Sequence, residues 1–115
     1  MMNKGVFVAV VGACTLLAST NTLLAGDTLT GSQIKKFVPG RAKAIINGET
    51  VTVRMSHKGR LSAKWGDERD TGNWHVSGDQ LCIKFRNWLN GSRRCSAVIR
   101  SGNDYQVAGV TFSKY

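Results

Sequence analysis

Turn signals recur about every 8 to 12 residues between β-branched and aromatic runs, and each one sets the register of the strands beside it. Asn47-Gly48 suits a two-residue type I′ turn, where both residues take positive φ. That turn places Ala44 opposite Val51 and Ala42 opposite Val53. The apolar residues then share one face, and Arg41, Lys43, Thr52 and Arg54 share the other. His57-Lys58-Gly59 reads as a three-residue loop with Gly59 left-handed. It sets Met55 against Leu61, Val53 against Ala63 and Val51 against Trp65, and adds Arg60 and Lys64 to the polar face. Gly78-Asp79 suits a type II′ turn that pairs Val76 with Leu81, Trp74 with Ile83 and Gly72 with Phe85. Gly102-Asn103 gives a fourth hairpin, with Val98 opposite Val107. A slip of one residue would turn these apolar sets outward, so their agreement is informative.

The pattern predicts a mainly β domain of six to seven antiparallel strands in meander order, curled into a small barrel or sandwich. One short N-terminal helix is expected over residues 30–38, capped by Ser32, with Ile34, Phe37 and Val38 on one face and Pro39-Gly40 as its stop. Asn90-Gly91 does not fit the scheme as a two-residue turn, because Cys82 would then oppose Ile99. Direct pairing of Cys82 with Cys95 needs a wider loop, residues 87–92, or a bulge. It also places Cys82 beside His75, on the face opposite Trp74 and Leu81, and the Ile34/Phe37 helix is the expected cover for that face.

Residues 1–25 read as a secretory signal peptide: Lys4 in a short basic start, an uncharged apolar run over residues 5–18, and a small residue, Ala25, at the cleavage point. The apolar run is too short for a secure membrane span. Residues 26–115 then form one small disulfide-stapled β domain, periplasmic or secreted, with no transmembrane span in the mature form. An alternative treats Val11-Gly12-Ala13-Cys14 as a lipobox, with lipid on Cys14 and a membrane-tethered protein. In an oxidising compartment Cys82 and Cys95 read as one disulfide, and a domain this small benefits from such a staple.

Loss of Lys4 with the leader leaves fifteen Lys and Arg against seven Asp and Glu, a net charge of +8. Such a surface attracts anions. Chromosomal nucleic acid lies in another compartment, which leaves lipopolysaccharide, anionic lipid, acidic cell-wall polymer or an acidic protein as partners. The densest cationic patch is expected on one hairpin, from Lys84, Arg86, Arg93, Arg94 and Arg100, with Trp88 in its loop either as an anchor that can stack on a ring or sugar or, equally, as a cap on one end of the barrel. Arg41, Lys43, Arg54 and Lys64 form a secondary basic face. Trp65 and Trp74 fall on the inner face by register.

No catalytic or metal-binding constellation is visible. His57 and His75 lack partners at metal-ligand spacing, no serine has a nucleophile context, and Asp67, Glu68 and Asp70 read as a solvated loop without calcium-loop spacing. No cofactor is expected, and Asn90-Gly91-Ser92 reads as turn chemistry although it has the form of a glycosylation sequon.

The run Gly72-Asn73-Trp74-His75-Val76-Ser77-Gly78-Asp79-Gln80-Leu81-Cys82, followed by Cys95 and by Gly102 and Tyr105, resembles an uncharacterised exported proteobacterial family catalogued as domain-of-unknown-function family 995. The likeness runs from about Leu29 to about Val107. Phe85-Arg86 departs from it, since an aromatic is expected nearer the cysteine. The resemblance implies a bacterial envelope setting and brings no activity with it. The G-x-W element is similar to lipocalin-like and avidin-like barrels at the level of fold analogy. The sequence therefore leads to a non-catalytic envelope protein that binds an anionic surface or partner through its basic hairpins. Two alternatives stand beside it: an inhibitor of an acidic exported hydrolase, and a small lipocalin-like ligand carrier. The carrier needs an internal cavity, and in a domain of this size Trp65, Trp74 and Phe85 are expected to fill the interior.

Overall fold

The computed structural model describes residues 26–115. The leader and Cys14 lie outside the described residues. The elements in chain order are β1 (Asp27–Thr28), α1 (Gly31–Phe37), β2 (Gly40–Ile46), β3 (Glu49–Met55), β4 (Arg60–Trp65), β5 (Glu68–Ser77), β6 (Gln80–Phe85), a 3-10 turn (Trp88–Gly91), β7 (Arg94–Ser96), β8 (Val98–Ser101), β9 (Asp104–Val107) and β10 (Val110–Lys114). The strands form one sheet in the order β1-β8-β9-β10-β2-β3-β4-β5-β6-β7. Every ladder in it is antiparallel.

The turn-derived registers are present: Ala44 faces Val51, Val53 faces Ala63, Trp74 faces Ile83 and Val98 faces Val107. Positive φ at Asn47 (52°) and Gly48 (81°) fits the type I′ turn, and Gly59 is left-handed at 89°. The strand number, ten, exceeds the expected six to seven. Strand β1 is two residues long and pairs with Ile99 and Arg100. Strand β10 follows an Ala108-Gly109 turn in which Ala108 takes φ 51°, a conformation that gives no sequence signal at an alanine.

Ala97 alone separates β7 from β8. The first of these strands pairs with β6 and the second with β9, so residues 94–101 border both neighbours. Strand β10 returns to β2 through Ser113 opposite Lys43 and Lys114 opposite Ala42. The pairings therefore run in a circuit, and the sheet curls into a barrel-like shell with its apolar face inward.

Helix α1 is capped by Thr30, not Ser32. The Thr30 hydroxyl accepts from the Gln33 N–H and the Gln33 side chain accepts from the Thr30 N–H, a reciprocal capping box. Ser32 is already inside the helix. Burial of Ile34, fully enclosed at 0% exposure, fixes the position of this two-turn helix, as a helix so short needs tertiary packing to persist. It joins Leu29, Val38, Trp74, Leu81 and Val98 in the core. The helix thus packs on the inner side of the sheet and does not cover the cysteine face, where His75 and Cys95 are exposed. Its C-terminal end is held by Lys114, whose ammonium donates to the carbonyls of Phe37 and Pro39. Burial, aided by the nearby Arg100 charge, lowers the pKa of Lys114.

Cys82 and Cys95 lie directly opposite one another, Cα atoms 4.0 Å apart, and are bonded. The loop between them is wide, residues 86–93. Replacing both cysteines with serine removes the closure of a short loop and should cost about 3 kcal/mol. The expected result is a clearly lower midpoint in urea or thermal unfolding; an unchanged midpoint would show that the ladder around Ala97 holds without the cross-link.

Candidate functional site

The strand order sends the turns to two ends. At one end α1 docks against the β5–β6 turn: the Gly31 N–H donates to Asp79 Oδ1 at 2.8 Å, and a side chain at Gly31 would collide with the Gly78 carbonyl. Trp74 fills this end, its Nε1–H donating to the Ser56 carbonyl at 2.8 Å. The other end gathers the turns at residues 47–48, 66–67 and 108–109 with the wide loop 86–93.

That second end is open, and the interior behind it is a cavity of about 390 Å³. Its walls are Val51, Val53, Met55, Leu61, Ala63 and Phe85, with Trp65, Trp88 and Leu89 toward the mouth. Glu68 is the one acid or base on the wall, and Tyr105 adds a phenol whose pKa burial pushes up to about 12. A cavity of this volume and chemistry is within the range that holds small ligands. The expectation that Trp65, Trp74 and Phe85 fill the interior is corrected here: Trp74 does so at the closed end, whereas Trp65 and Phe85 become cavity wall. Small residues are the reason. On the inner faces of β3 and β4, Val51, Val53 and Ala63 line the space opposite the aromatics of β4 and β6.

The lip of the mouth is an aromatic cluster. Trp88 packs on Phe85 at 5.1 Å between ring centroids and meets Trp65 edge-to-face at 6.5 Å. Trp88 is thus half-buried against the core, not displayed among the arginines as an exposed anchor. Trp65 Nε1 is buried and has no hydrogen-bond partner. Next to Trp88, Leu89 (φ 58°) and Asn90 (φ 57°) both take the left-handed conformation, and Leu89 stays 42% exposed at the rim. A leucine rarely adopts this backbone, which needs support from its surroundings.

Asp70 holds Asn87 and Trp88, the two residues immediately before this pair. It is 6% exposed, the buried charged residue of the described chain, and lies within β5 and not in a solvated loop. Glu68 is also in β5, and only Asp67 of the three acids remains in the turn. The Asp70 carboxylate accepts from the backbone N–H groups of Thr71 (2.9 Å), Asn87 (2.9 Å) and Trp88 (2.8 Å), and from the Asn87 side-chain amide (3.3 Å). Burial works to raise its pKa, but these four donors together outweigh that and hold it below the ordinary value.

The structure divides the predicted cations. Lys84, Arg86, Arg93 and Arg94 are exposed along β6, the lip loop and β7, but Arg94 lies opposite Ile83 and so on the other face of the sheet from Lys84. Arg100 is not with them. It stacks on the Phe37 ring, 3.9 Å from the centroid, at the helix. Arg41, Lys43, Arg54 and Lys64 share the outer face of β2 to β4, with Arg41 directly opposite Arg54. Arg41 and Lys43 also lie 4.9 and 5.4 Å from the Tyr115 ring centroid. Among the described residues, no three of His, Cys, Asp and Glu come together in a way that could hold a metal ion. No helix there is long and apolar enough to cross a membrane.

Comparison with known proteins gives no matching family model, no similar curated protein and no similar solved structure. The envelope-family resemblance rests on the sequence motif alone.

Asp70 gives the lip a defined response to acid. Its folded pKa is below its unfolded one, so its contribution is complete above the ordinary carboxylate range, ~pH 4, and is lost as pH falls through the folded value. Asp70→Asn should loosen the loop at neutral pH and flatten that acid-side loss. Amide exchange at Asn87 and Trp88, measured between neutral and strongly acid pH, reads both effects; exchange that is slow and unchanged in the variant would show that the loop does not depend on the carboxylate.

Proposed function

We propose that this protein is a non-catalytic exported carrier that holds one small apolar molecule in the open end of its barrel-like sheet. The observation behind this reading is the cavity of about 390 Å³, apolar on all sides except at Glu68 and the Tyr105 phenol. Interiors are normally packed to the density of organic crystals. Space on this scale, open to solvent and walled by side chains that gain nothing from water, favours an apolar guest. It supports the carrier over the hydrolase inhibitor, for which no corresponding feature is present among the described residues.

An environment-sensitive naphthalene dye should bind with a blue shift and enhanced emission. Ala63→Trp places a large ring in the cavity and should weaken the dye at least tenfold while the protein still unfolds cooperatively. Equal affinity in the variant would put the dye elsewhere on the molecule and remove the support for this reading.

A second reading concerns the outer surface, and the register favours it. Arg41, Arg54, Lys43 and Lys64 occupy one face of three adjacent strands, close enough to act together on an anionic layer. Such a face would hold the carrier at lipopolysaccharide or acidic lipid, with Lys84, Arg86 and Arg93 as a second contact. Vesicles containing acidic lipid should pull the protein down at low salt and release it at high salt, as surface charges are screened. No sedimentation with acidic vesicles at low salt would end this second reading.

A further inference from the structure

The circuit of strands is incomplete at one seam. The ladder between β2 and β10 holds Lys43 with Ser113 and Ala42 with Lys114, at the helix end, and the Tyr115 N–H extends it by donating to the Arg41 carbonyl at 3.2 Å. Continued register would set Ala44 opposite Phe112, Ile45 opposite Thr111 and Ile46 opposite Val110, and none of these pairs is in the ladder. Toward the open end the two strands run side by side without ladder pairs and leave backbone groups that a closed barrel would pair. A groove of about 730 Å³ lies along this stretch, bounded by residues 43–47 and 109–111.

This groove meets the cavity. Ile46 lines both, and Phe112 lines the cavity while its neighbours Thr111 and Ser113 line the groove. Ile45, at the groove, is 68% exposed, the largest exposure of any big hydrophobic side chain described. Lys43 is the one charged side chain on the groove wall.

Given that the cavity binds an apolar guest, we infer that the β2–β10 seam is the ligand's side entrance and head-group seat, and that the ligand is a single-chain amphiphile with a carboxylate head. The chain lies in the cavity against Trp65 and Trp88, and the head remains at the seam beside Lys43. Charge selects the head. Lys43 is an exposed cation, Arg41 adds a second on the same outer face, and no acid lines the groove. Volume selects the tail. The cavity equals about thirteen waters at ~30 Å³ each, room for one chain and not two. The open rim is a poorer seat for a carboxylate, because Glu68 lines the cavity there.

The wild-type protein tests this with its own tryptophans. Bromine quenches an indole that it touches. Dodecanoate brominated at its far methyl end should quench Trp65 and Trp88. The isomer brominated next to the carboxylate should leave them bright, since its bromine stays at the seam. Lys43→Glu alters an exposed side chain and should weaken dodecanoate tenfold or more while leaving dodecanol unchanged. Equal quenching by the two isomers, or a Lys43→Glu effect that is absent or equal for acid and alcohol, would overturn the seam as the head-group seat. If calorimetry shows that neither dodecanoate nor dodecanol binds the wild-type protein, the amphiphile and its seat at the seam are rejected; dye binding that Ala63→Trp weakens would still leave the cavity reading in place, and absence of dye binding as well would overturn both.

Discussion

The carboxylate of Asp70 sits inside the sheet and receives hydrogen bonds from a loop 17 and 18 residues away, and those bonds decide where Trp88 goes. Beyond the tied Asn87 and Trp88 the chain turns toward Arg94 with Leu89 and Asn90 left-handed. The Trp88 ring is thereby laid on Phe85 and against Trp65, which forms one side of the mouth. An ionised group buried without partners would be costly. Here the four donors make it an organising centre, and charge-assisted bonds of this kind are the stronger ones. The disulfide fixes the other margin of the same loop, so the lip is anchored at both its sheet contacts.

The fold was legible where short-range chemistry determines long-range pairing. A two-residue turn with a positive φ leaves no choice of register, and the apolar alternation on each side agreed with each of the four turns. Legibility ended where the signal was missing or lay elsewhere in the chain. Ala108 occupies a turn position at which glycine or asparagine is usual, so β10 went unseen. Strand β1 is too short to show a period. The helix cap moved from Ser32 to Thr30 because Gln33 completes a reciprocal pair only with Thr30.

The site was less legible than the fold. Asp70 reads as one acid among three near a turn, and its role comes from donors that only the folded loop brings to it. The cavity left a trace in Val51, Val53 and Ala63 of β3 and β4, but small inner residues have meaning only when the width of the sheet is known. Volume depends on all the strands together, and the strand count was the part most in error. The arginines, conspicuous in the sequence, turned out to be divided between the lip and the helix end.

The contacts between Lys114 and the carbonyls of Phe37 and Pro39 join residues 77 and 75 positions apart. The short β2–β10 ladder spans a similar distance along the chain. Hairpins such as β2–β3 need only their own turn and can form early, but this closure must meet the loop entropy of almost the whole sheet before any contact repays it. A chain emerging in order from its N-terminal side therefore holds a flat or half-curled meander until Lys114 arrives. The interior comes into being at a late step, and the seam, joined by two ladder pairs and the bond from Tyr115 to Arg41, closes only after the hairpins on either side of it.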